Sequence, residues 1–169
     1  MKNEIMKPKN PFSEKVRKDI LDLKSMYPLN QSALIPALFR VQEENGSLDS
    51  DSMLEVAKLL DIPPIEVMKT GTFYTMFQHK PVGKYLVQVC VNISCSMLGG
   101  RHLLSHLERK LGIKEGEITP DGLFSVMPVQ CLGACHEAPV VQINNDYHLL
   151  VNEKKLDDLL GSLKTGAKR

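Results

Sequence analysis

Four cysteines carry the clearest chemistry in this sequence. Cys90 and Cys95 form a C-x4-C pair, Cys131 and Cys135 form a C-x3-C pair, and the chain has no other cysteine. Each close pair supplies two soft thiolate ligands from one short stretch of backbone, so two pairs can complete a tetrathiolate site. The pattern predicts an inorganic cofactor held by all four residues.

Four chemistries compete for these thiols: an iron-sulfur cluster, structural zinc, dithiol redox exchange and disulfides. Structural zinc usually uses C-x2-C knuckles, although spacers of up to about four residues are tolerated. A thioredoxin-type exchange site needs C-x-x-C, which neither pair has. Disulfides are disfavoured in the reducing cytoplasm that we expect. One thiolate pair for each of two sulfide-bridged irons favours a 2Fe-2S cluster, although the spacing of plant-type ferredoxins is absent.

The elements that must position the cysteines are two strands. Residues 84–91 predict a buried strand that ends near Cys90, residues 97–111 an amphipathic helix, and residues 123–130 a second strand followed by Cys131. Strand, helix and strand in this order form a crossover unit in which the two strands are parallel. Both cysteines would then lie at the same edge of the sheet, where ligand sites are favoured.

A proline, a glycine and the segments after the second strand add detail to the predicted sheet and cysteine site. Pro128 cannot donate a ladder hydrogen bond, so the second strand must be an edge strand or bulged there. Gly133 would let the backbone approach closely between the cysteines of the second pair. Residues 140–151 predict a hairpin, and a final helix follows with Leu156 and Leu160 on one face. This order of elements suits a small thioredoxin-like sheet.

The first part of the chain predicts four short helices. Ser13 and Ser32 are the expected N-caps of the first two helices. The Asp49–Asp51 cluster opens the third, and residues 65–77 form the fourth after a Pro-Pro pair. Apolar and aromatic side chains near the end of the fourth helix are expected to pack in the core, with a partner-facing surface as the alternative; these are Phe73, Tyr74, Met76 and Phe77.

These patterns predict an α+β protein of two domains. We expect a flexible tail at residues 1–11, a small helical bundle at residues 12–79, and a thioredoxin-like α/β domain at residues 80–169 that carries the cysteines. A hydrophobic content of 43% is sufficient for ordinary packed cores.

Charge and hydropathy exclude other classes of function. The formal net charge is +1, there is no tryptophan, and the basic residues are scattered among acidic ones, so nucleic-acid binding is not expected. No stretch approaches the roughly 18 apolar residues of a transmembrane helix, and the Lys-rich start lacks the apolar middle of a signal peptide. We therefore expect a cytoplasmic protein that does not insert directly into a membrane.

Histidines offer weaker signals. His102 and His106 lie opposite the leucine face of the predicted crossover helix and are expected to be solvated, with no third metal ligand evident nearby. His136 follows Cys135 and is expected beside the site or on the surface. A Rieske arrangement would need two histidines in place of one cysteine pair, whereas all four cysteines are present.

Several motifs together resemble a known family. They are the run Phe73-Tyr74-Thr75-Met76-Phe77, the run Pro81-Val82-Gly83-Lys84-Tyr85, the segment Cys131-Leu132-Gly133-Ala134-Cys135 with Ala138-Pro139 behind it, Leu111-Gly112-Ile113 and Thr119-Pro120-Asp121-Gly122. The chain is similar over residues 12–163 to the E subunit of NADH-quinone oxidoreductase, respiratory complex I. Gln130, where many relatives have an acidic residue, is a departure that concerns the reduction potential.

The resemblance implies a thioredoxin-like 2Fe-2S ferredoxin domain, with Cys90, Cys95, Cys131 and Cys135 as the ligands of one cluster per chain. It also implies a partner flavoprotein subunit that binds FMN, NADH and a 4Fe-4S cluster, within a larger respiratory complex on the cytoplasmic side of the membrane. The chain itself would have no catalytic acid or base. The small diaphorase subunits of NAD-linked hydrogenases and formate dehydrogenases share the fold and remain an alternative, as does a structural zinc module.

Overall fold

The computed structural model describes residues 11–166. The chain divides between Pro81 and Val82 into two compact units. Apart from Pro11, the predicted flexible tail at residues 1–11 lies outside the described residues. The first unit is helical, the second contains a sheet, and the predicted α+β class is confirmed.

Four α-helices form the first unit. Their bounds are α1 Glu14–Met26, α2 Leu34–Asn45, α3 Ser50–Leu60 and α4 Pro64–Phe73. Each buries an apolar stripe in one shared core. The core residues include Ile20, Leu38, Val41, Val56, Leu60 and Val67.

The starts of these helices follow their capping residues, with one exception. The Ser13 hydroxyl accepts a hydrogen bond from the Val16 N–H at 3.3 Å, as an N-cap should. The prediction that Ser32 caps α2 is wrong, because Ser32 lies inside a 3-10 turn, Asn30–Ala33, that runs directly into the helix. The preceding turn supplies the continuity that a side-chain cap would otherwise provide.

The end of α4 differs from the prediction. The helix stops at Phe73 instead of continuing to residue 77, so the aromatic residues beyond it do not share one helical face. Phe77 turns into the core and packs on Phe39 with ring centroids 5.1 Å apart. The other three apolar side chains are exposed, with Phe73 at 77%, so their predicted burial is wrong; they are Phe73, Tyr74 and Met76.

A four-stranded sheet organises the second unit. Its strands are β1 Tyr85–Cys90, β2 Phe124–Val129, β3 Val141–Ile143 and β4 Asp146–His148, in the spatial order β2-β1-β3-β4. β1 and β2 are parallel, as predicted, and the β3–β4 pair is the predicted hairpin. Pro128 lies in β2 at the edge of the sheet, which confirms the edge placement that its missing N–H requires.

Helices cover this sheet. The predicted helix at residues 97–111 is α6 Gly100–Leu111, and a further short helix that was not predicted, α5 Ile93–Met97, precedes it; Gly99, in the left-handed conformation, lies directly before α6. The last helix, α7, spans Glu153–Lys164. α6, α7 and the strands contribute to the second core, whose buried residues include Val87, Val89, Leu107, Phe124, Val126, Leu156 and Leu160.

One of the two helix histidines is not solvated as predicted. His106 is paired through Nε2 with Asp157 Oδ1 at 2.8 Å and through Nδ1 with Glu153 Oε1 at 3.2 Å. His102 Nε2 lies 3.0 Å from the same Glu153 oxygen and remains exposed. The carboxylates belong to α7, which is distant in sequence, so the helical periodicity of α6 alone could not show them.

No α-helix within residues 11–166 is both long and apolar enough to cross a bilayer. The longest helices have 12 or 13 residues and carry charged side chains.

Asp49 provides a test of the first unit. Its side chain accepts from the Ser52 N–H at 2.8 Å and completes a capping box at the start of α3. We expect Asp49→Ala to lower the free energy of unfolding by about 1 kcal/mol at neutral pH. The hydrogen bonds from the Ser52 side chain and backbone lower the pKa of Asp49. The carboxylate therefore stabilises the fold above the pKa of the unfolded chain, and this contribution is lost as pH falls through the folded-state pKa.

Urea unfolding followed by circular dichroism at neutral pH and at about pH 3 measures both effects. Asp51→Ala is the matched control, since Asp51 is exposed in the same first turn and does not form the cap. A difference between wild type and Asp49→Ala that persists unchanged in acid would contradict this account of the cap.

Candidate functional site

The ends of β1 and β2 place one cysteine of each pair. Cys90 is the last residue of β1 and lies opposite Val129, the last residue of β2; Cys131 follows two residues later. The ladder continues past the strands, because the Val91 N–H donates to the Val129 carbonyl at 2.9 Å. Parallel pairing therefore brings the two sequence-distant cysteines to one edge of the sheet, as the sequence predicted.

Cys95 is placed by α5 and not by the loop that the sequence predicts. Asn92 caps this short helix, with its side-chain oxygen accepting from the Ile93 N–H at 2.7 Å and its carbonyl accepting from the Ser96 N–H at 2.7 Å. One turn of helix turns the Cys95 side chain inward, where it is buried. Cys90 is also buried, and its thiol donates to the Gln130 carbonyl at 3.2 Å.

The second pair is exposed. The Cys131 and Cys135 sulfur atoms lie 3.8 Å apart, and Cys135 begins a 3-10 turn that ends at Glu137. The Gly133 N–H donates to the Cys131 sulfur at 3.4 Å. Hydrogen bonds to the sulfurs are one means by which a protein tunes an iron-sulfur potential. His136 is exposed in the same turn.

Gly133 is needed for a different reason than the one predicted. A Cβ atom on it would have no heavy atom within 4 Å, so the loop is not crowded there. The backbone has φ of +80°, however, and L residues rarely adopt this left-handed conformation. The requirement for glycine is therefore conformational.

Gly100 is the close-approach glycine, and the sequence reasoning missed it. A Cβ atom at this position would lie 2.5 Å from the Cys90 carbonyl oxygen and 2.9 Å from the Cys95 carbonyl oxygen. The start of α6 thus touches the backbone of both buried cysteines. The Gly99-Gly100 pair, which begins four residues after Cys95, is the available signal, since glycine is the residue that permits a close approach of backbone.

The pKa values of Cys95 and Cys135 are both raised, and each is affected by thiols of both pairs. Burial raises the pKa of Cys95 to about 11, and a hydrogen bond with Cys90 also raises it, whereas one with the Val140 backbone lowers it. The pKa of Cys135 is raised chiefly by its hydrogen bond with Cys131, and the charges of Cys131 and Cys90 act in the same direction. Because metal ligands are thiolates, binding a metal centre must displace protons from these sulfurs.

The donor set fits an iron-sulfur cluster in its chemistry. Four free thiols are the soft ligands that such clusters use, and the Cys90 sulfur lies 3.2 Å from the carbonyl oxygen of Gln130, the residue directly before Cys131. The structure presents them as two pairs, not as a closed tetrad. In the part of the chain that it describes, no three His, Cys, Asp or Glu side chains are gathered closely enough to hold a metal ion.

Comparison with known proteins identifies the family. Residues 20–164 match the family described as thioredoxin-like 2Fe-2S ferredoxin. The NADH-quinone oxidoreductase E subunit numbered 2 from Rhizobium meliloti is 43% identical over 149 residues, which cover 88% of this chain and 89% of that relative. NADH-quinone oxidoreductase subunit 2 of Thermus thermophilus is 44% identical over 137 residues, or 80% of this chain and 76% of the relative. The NADH-quinone oxidoreductase E subunit from Aquifex aeolicus is 38% identical over 149 residues, or 88% and 93%.

A solved structure supports the fold. The air-oxidized NAD+-reducing NiFe hydrogenase superposes with a TM-score of 0.68 at 24% identity, over 80% of this chain and 23% of that much longer chain. The chain belongs to the thioredoxin-like 2Fe-2S ferredoxin family, and within it to the E subunits of NADH-quinone oxidoreductases. The resemblance seen in the sequence is confirmed, and membership in this family supports an iron-sulfur cofactor.

The contact at Gly100 leads to a prediction. We expect Gly100→Ala to destabilise the second unit by about 1–3 kcal/mol, the usual cost of inserting atoms into a packed site, because its Cβ would displace backbone beside Cys90 and Cys95. Gly161→Ala is the matched control: Gly161 lies within α7 with open space around it, so alanine should stabilise the helix by roughly 0.5–1 kcal/mol. Thermal unfolding with an iron assay distinguishes them, and equal stability of the two variants would refute the close approach.

Gly133 yields a separate prediction. Alanine there should cost about 1–2 kcal/mol of left-handed strain, and Asn, which tolerates this conformation better, should cost less. The order Gly, Asn, Ala in thermal stability is the expected result. Equal losses for Asn and Ala would point to crowding, against the geometry described above.

Proposed function

We propose that the chain is an electron-transfer subunit of a respiratory NADH dehydrogenase, complex I, and that Cys90, Cys95, Cys131 and Cys135 hold one 2Fe-2S cluster. The observation that carries the proposal is that two parallel, hydrogen-bonded strands end at the first cysteine of one pair and two residues before the first cysteine of the other. The NADH-quinone oxidoreductase relatives, at 38–44% identity, support it.

The cofactor would supply one-electron storage, which is the usual role of a 2Fe-2S centre. The residues of the chain would shield the cofactor from water on one side, leave it accessible on the other, and donate a hydrogen bond to one sulfur. Cys90 and Cys95 lie in a small apolar cluster with Ala138 and Val140, which limits access of water to that side. Cys131 and Cys135 lie at the surface, where an electron donor or acceptor can approach. The Gly133 amide adds a hydrogen bond to one sulfur.

A partner subunit would carry the two-electron chemistry. We propose that FMN and NADH bind to a flavoprotein subunit that also holds a 4Fe-4S cluster, and that the present chain exchanges electrons with that flavin. The assembly would be a larger respiratory complex with this chain peripheral on the cytoplasmic side of the membrane. The relatives' names as numbered or lettered subunits support a multisubunit assembly.

A hydrogenase context is the second candidate, because the fold superposes on an NAD+-reducing hydrogenase. The NADH-quinone oxidoreductase relatives are more similar in sequence and match over most of their own length, whereas the hydrogenase match covers 23% of that chain. Complex I is therefore favoured. Neighbouring genes for membrane proton-pumping subunits would support it, and hydrogenase genes would support the alternative.

The cofactor assignment has a direct test. We expect anaerobically purified full-length protein to be red-brown, to contain about two irons and two acid-labile sulfides per chain, and to give a stoichiometric spin-one-half EPR signal after reduction with dithionite. A colourless, EPR-silent protein containing zinc would instead make the chain a structural zinc module.

The ligand assignment is tested by substitution. Cys95→Ser and Cys135→Ser should each lose most of the iron, because a hydroxyl forms the anionic ligand far less readily than a thiol. Ser96→Ala is the control, since Ser96 lies beside Cys95 and its hydroxyl accepts from the Arg101 side chain. The first unit should keep its helical circular dichroism in all three variants. Full, spectroscopically unchanged clusters in both serine variants would remove these residues from the ligand set.

A further inference from the structure

Charged and titratable side chains connect α6 and α7 at the surface of the second unit. They recur every four residues along one face of each helix, and are called here the α6–α7 ion cluster; they are His102, His106 and Lys110 on α6, and Glu153 and Asp157 on α7. His102 Nε2 lies 3.0 Å from Glu153 Oε1, and Lys110 Nζ lies 2.7 Å from Asp157 Oδ2. His106, between them, contacts both carboxylates. The cluster is not gathered closely enough to hold a metal ion, so its chemistry is that of ion pairs.

The two contacts of His106 favour one protonation state. Its Nε2 lies 2.8 Å from Asp157 Oδ1, and its Nδ1 lies 3.2 Å from Glu153 Oε1. An ionised carboxylate only accepts hydrogen bonds, whereas a neutral imidazole has one N–H and one unprotonated nitrogen. Whichever nitrogen held the proton, the other would therefore present a lone pair to a carboxylate oxygen. In the imidazolium form both nitrogens are protonated, and both contacts are attractive.

The charges of the cluster are balanced in the same state. When both histidines are neutral, Lys110 supplies the one positive charge of the cluster, opposite two carboxylates. A proton on His106 makes the two signs equal. Asp157 is ionised at neutral pH: burial acts to raise its pKa, but hydrogen bonds from Lys110 and His106 outweigh burial, and the pKa is lowered. The charge count therefore favours the imidazolium form as the geometry does.

The other elements packed against α6 bring no further charge to His106. α5, β1 and β2 contain no Asp, Glu, Lys, Arg or His. Their titratable side chains are Cys90 and Cys95, whose backbone lies beside the start of α6, and Tyr85, which packs on Phe124 with ring centroids 5.6 Å apart. The charged groups in contact with His106 are therefore those of the ion cluster.

α6 connects this cluster to the cysteine site. Its first residue, Gly100, lies so close to the carbonyl oxygens of Cys90 and Cys95 that a Cβ there would be 2.5 and 2.9 Å from them. His106 is six residues further along the same helix, which is about 9 Å along its axis. A short unbroken helix moves as one body, so a contact that fixes His106 to α7 also fixes Gly100 against the two cysteines.

We propose that His106 is a positioning residue for the cysteine site: its imidazolium form fastens α6 to α7 and so holds the start of α6 against the backbone of Cys90 and Cys95. The inference rests on the proposed function, which places a cofactor at these cysteines, and it adds a residue that controls how firmly the site is held. The contribution of His106 should be present in mild acid and lost as pH rises through the range in which histidines deprotonate, about pH 6–8. This sign is opposite to that of the Asp49 cap, which is lost in acid.

Three variants of the full-length protein with its cofactor test the proposal at about pH 6 and about pH 8. His106→Gln cannot be protonated, and His106→Lys keeps a positive charge at both pH values. His102→Gln is the matched control, because His102 is exposed and contacts one carboxylate of the cluster. Thermal unfolding measures the stability of the fold, and the rate of iron loss to a chelator measures the cysteine site. Each variant is compared with wild type at the same pH, which cancels the direct effect of protons on the thiolate ligands.

We expect His106→Gln to lower the Tm by about 4 °C or more at the lower pH, and by less than half as much at the higher pH. Iron loss from this variant should be faster than from wild type by about threefold or more at the lower pH. The stability of His106→Lys should depend less on pH than that of wild type. His102→Gln should remain within about 1 °C of wild type at both pH values, as expected for an exposed ion pair.

Two results would overturn the inference. An equal loss of Tm for His106→Gln at both pH values would show that the ring acts by packing and not as an imidazolium. Iron loss at the wild-type rate, despite a pH-dependent loss of Tm, would remove the link between His106 and the cysteine site. The thermal comparison needs no iron, so failure of the protonated contact is distinguishable from failure of the proposed cofactor.

Discussion

The parallel pairing of β1 with β2 fixes the position of everything that the site needs. The register runs from Tyr85 opposite Phe124 to Cys90 opposite Val129. It is secured at its start, where the Gly83 N–H donates to the buried Ser125 hydroxyl at 2.9 Å and a Cβ on Gly83 would lie 2.6 Å from the Phe124 backbone. A slip of one residue would reverse the faces of β1 and move Cys90 away from the loop of the second pair. The cysteine constellation is thus a consequence of strand register.

The parts of the fold that were predictable are those determined by local pattern. Apolar runs identified β1 and β2, and the missing N–H of Pro128 placed β2 at the edge. Periodicity did not reveal where α4 ends, because Phe73 and its neighbours continue an apolar pattern after the backbone has left the helix. The carboxylates paired with His106 come from α7 and depend on tertiary packing. Such contacts have no signature in the sequence around the histidine.

In the candidate site, too, local sequence pattern predicted some features, whereas others depend on the tertiary structure. Spacing alone identified the four cysteines and suggested their shared sheet edge. It did not indicate that Cys95 would be on a helix, that Gly100 would touch two cysteine carbonyls, or that one pair would be buried and the other exposed. The helical position of Cys95 and the contacts of Gly100 depend on Gly99, a left-handed residue between α5 and α6. A glycine pair in sequence is compatible with many backbone paths, so only the three-dimensional structure distinguishes them.

The two cysteine pairs differ in exposure, because Cys90 and Cys95 are buried whereas Cys131 and Cys135 are exposed. An unpaired thiolate is costly to bury, and the pKa of Cys95, raised to about 11 by burial, expresses that cost. As neutral thiols, Cys90 and Cys95 pack in the apolar cluster like small hydrophobic side chains, so the cost arises only when they are deprotonated. A metal centre bound by these residues would compensate the charge of the thiolates, so that metal binding and loss of the thiol protons would be coupled. Cofactor binding at the buried pair should therefore depend on pH, because it releases the protons of these thiols.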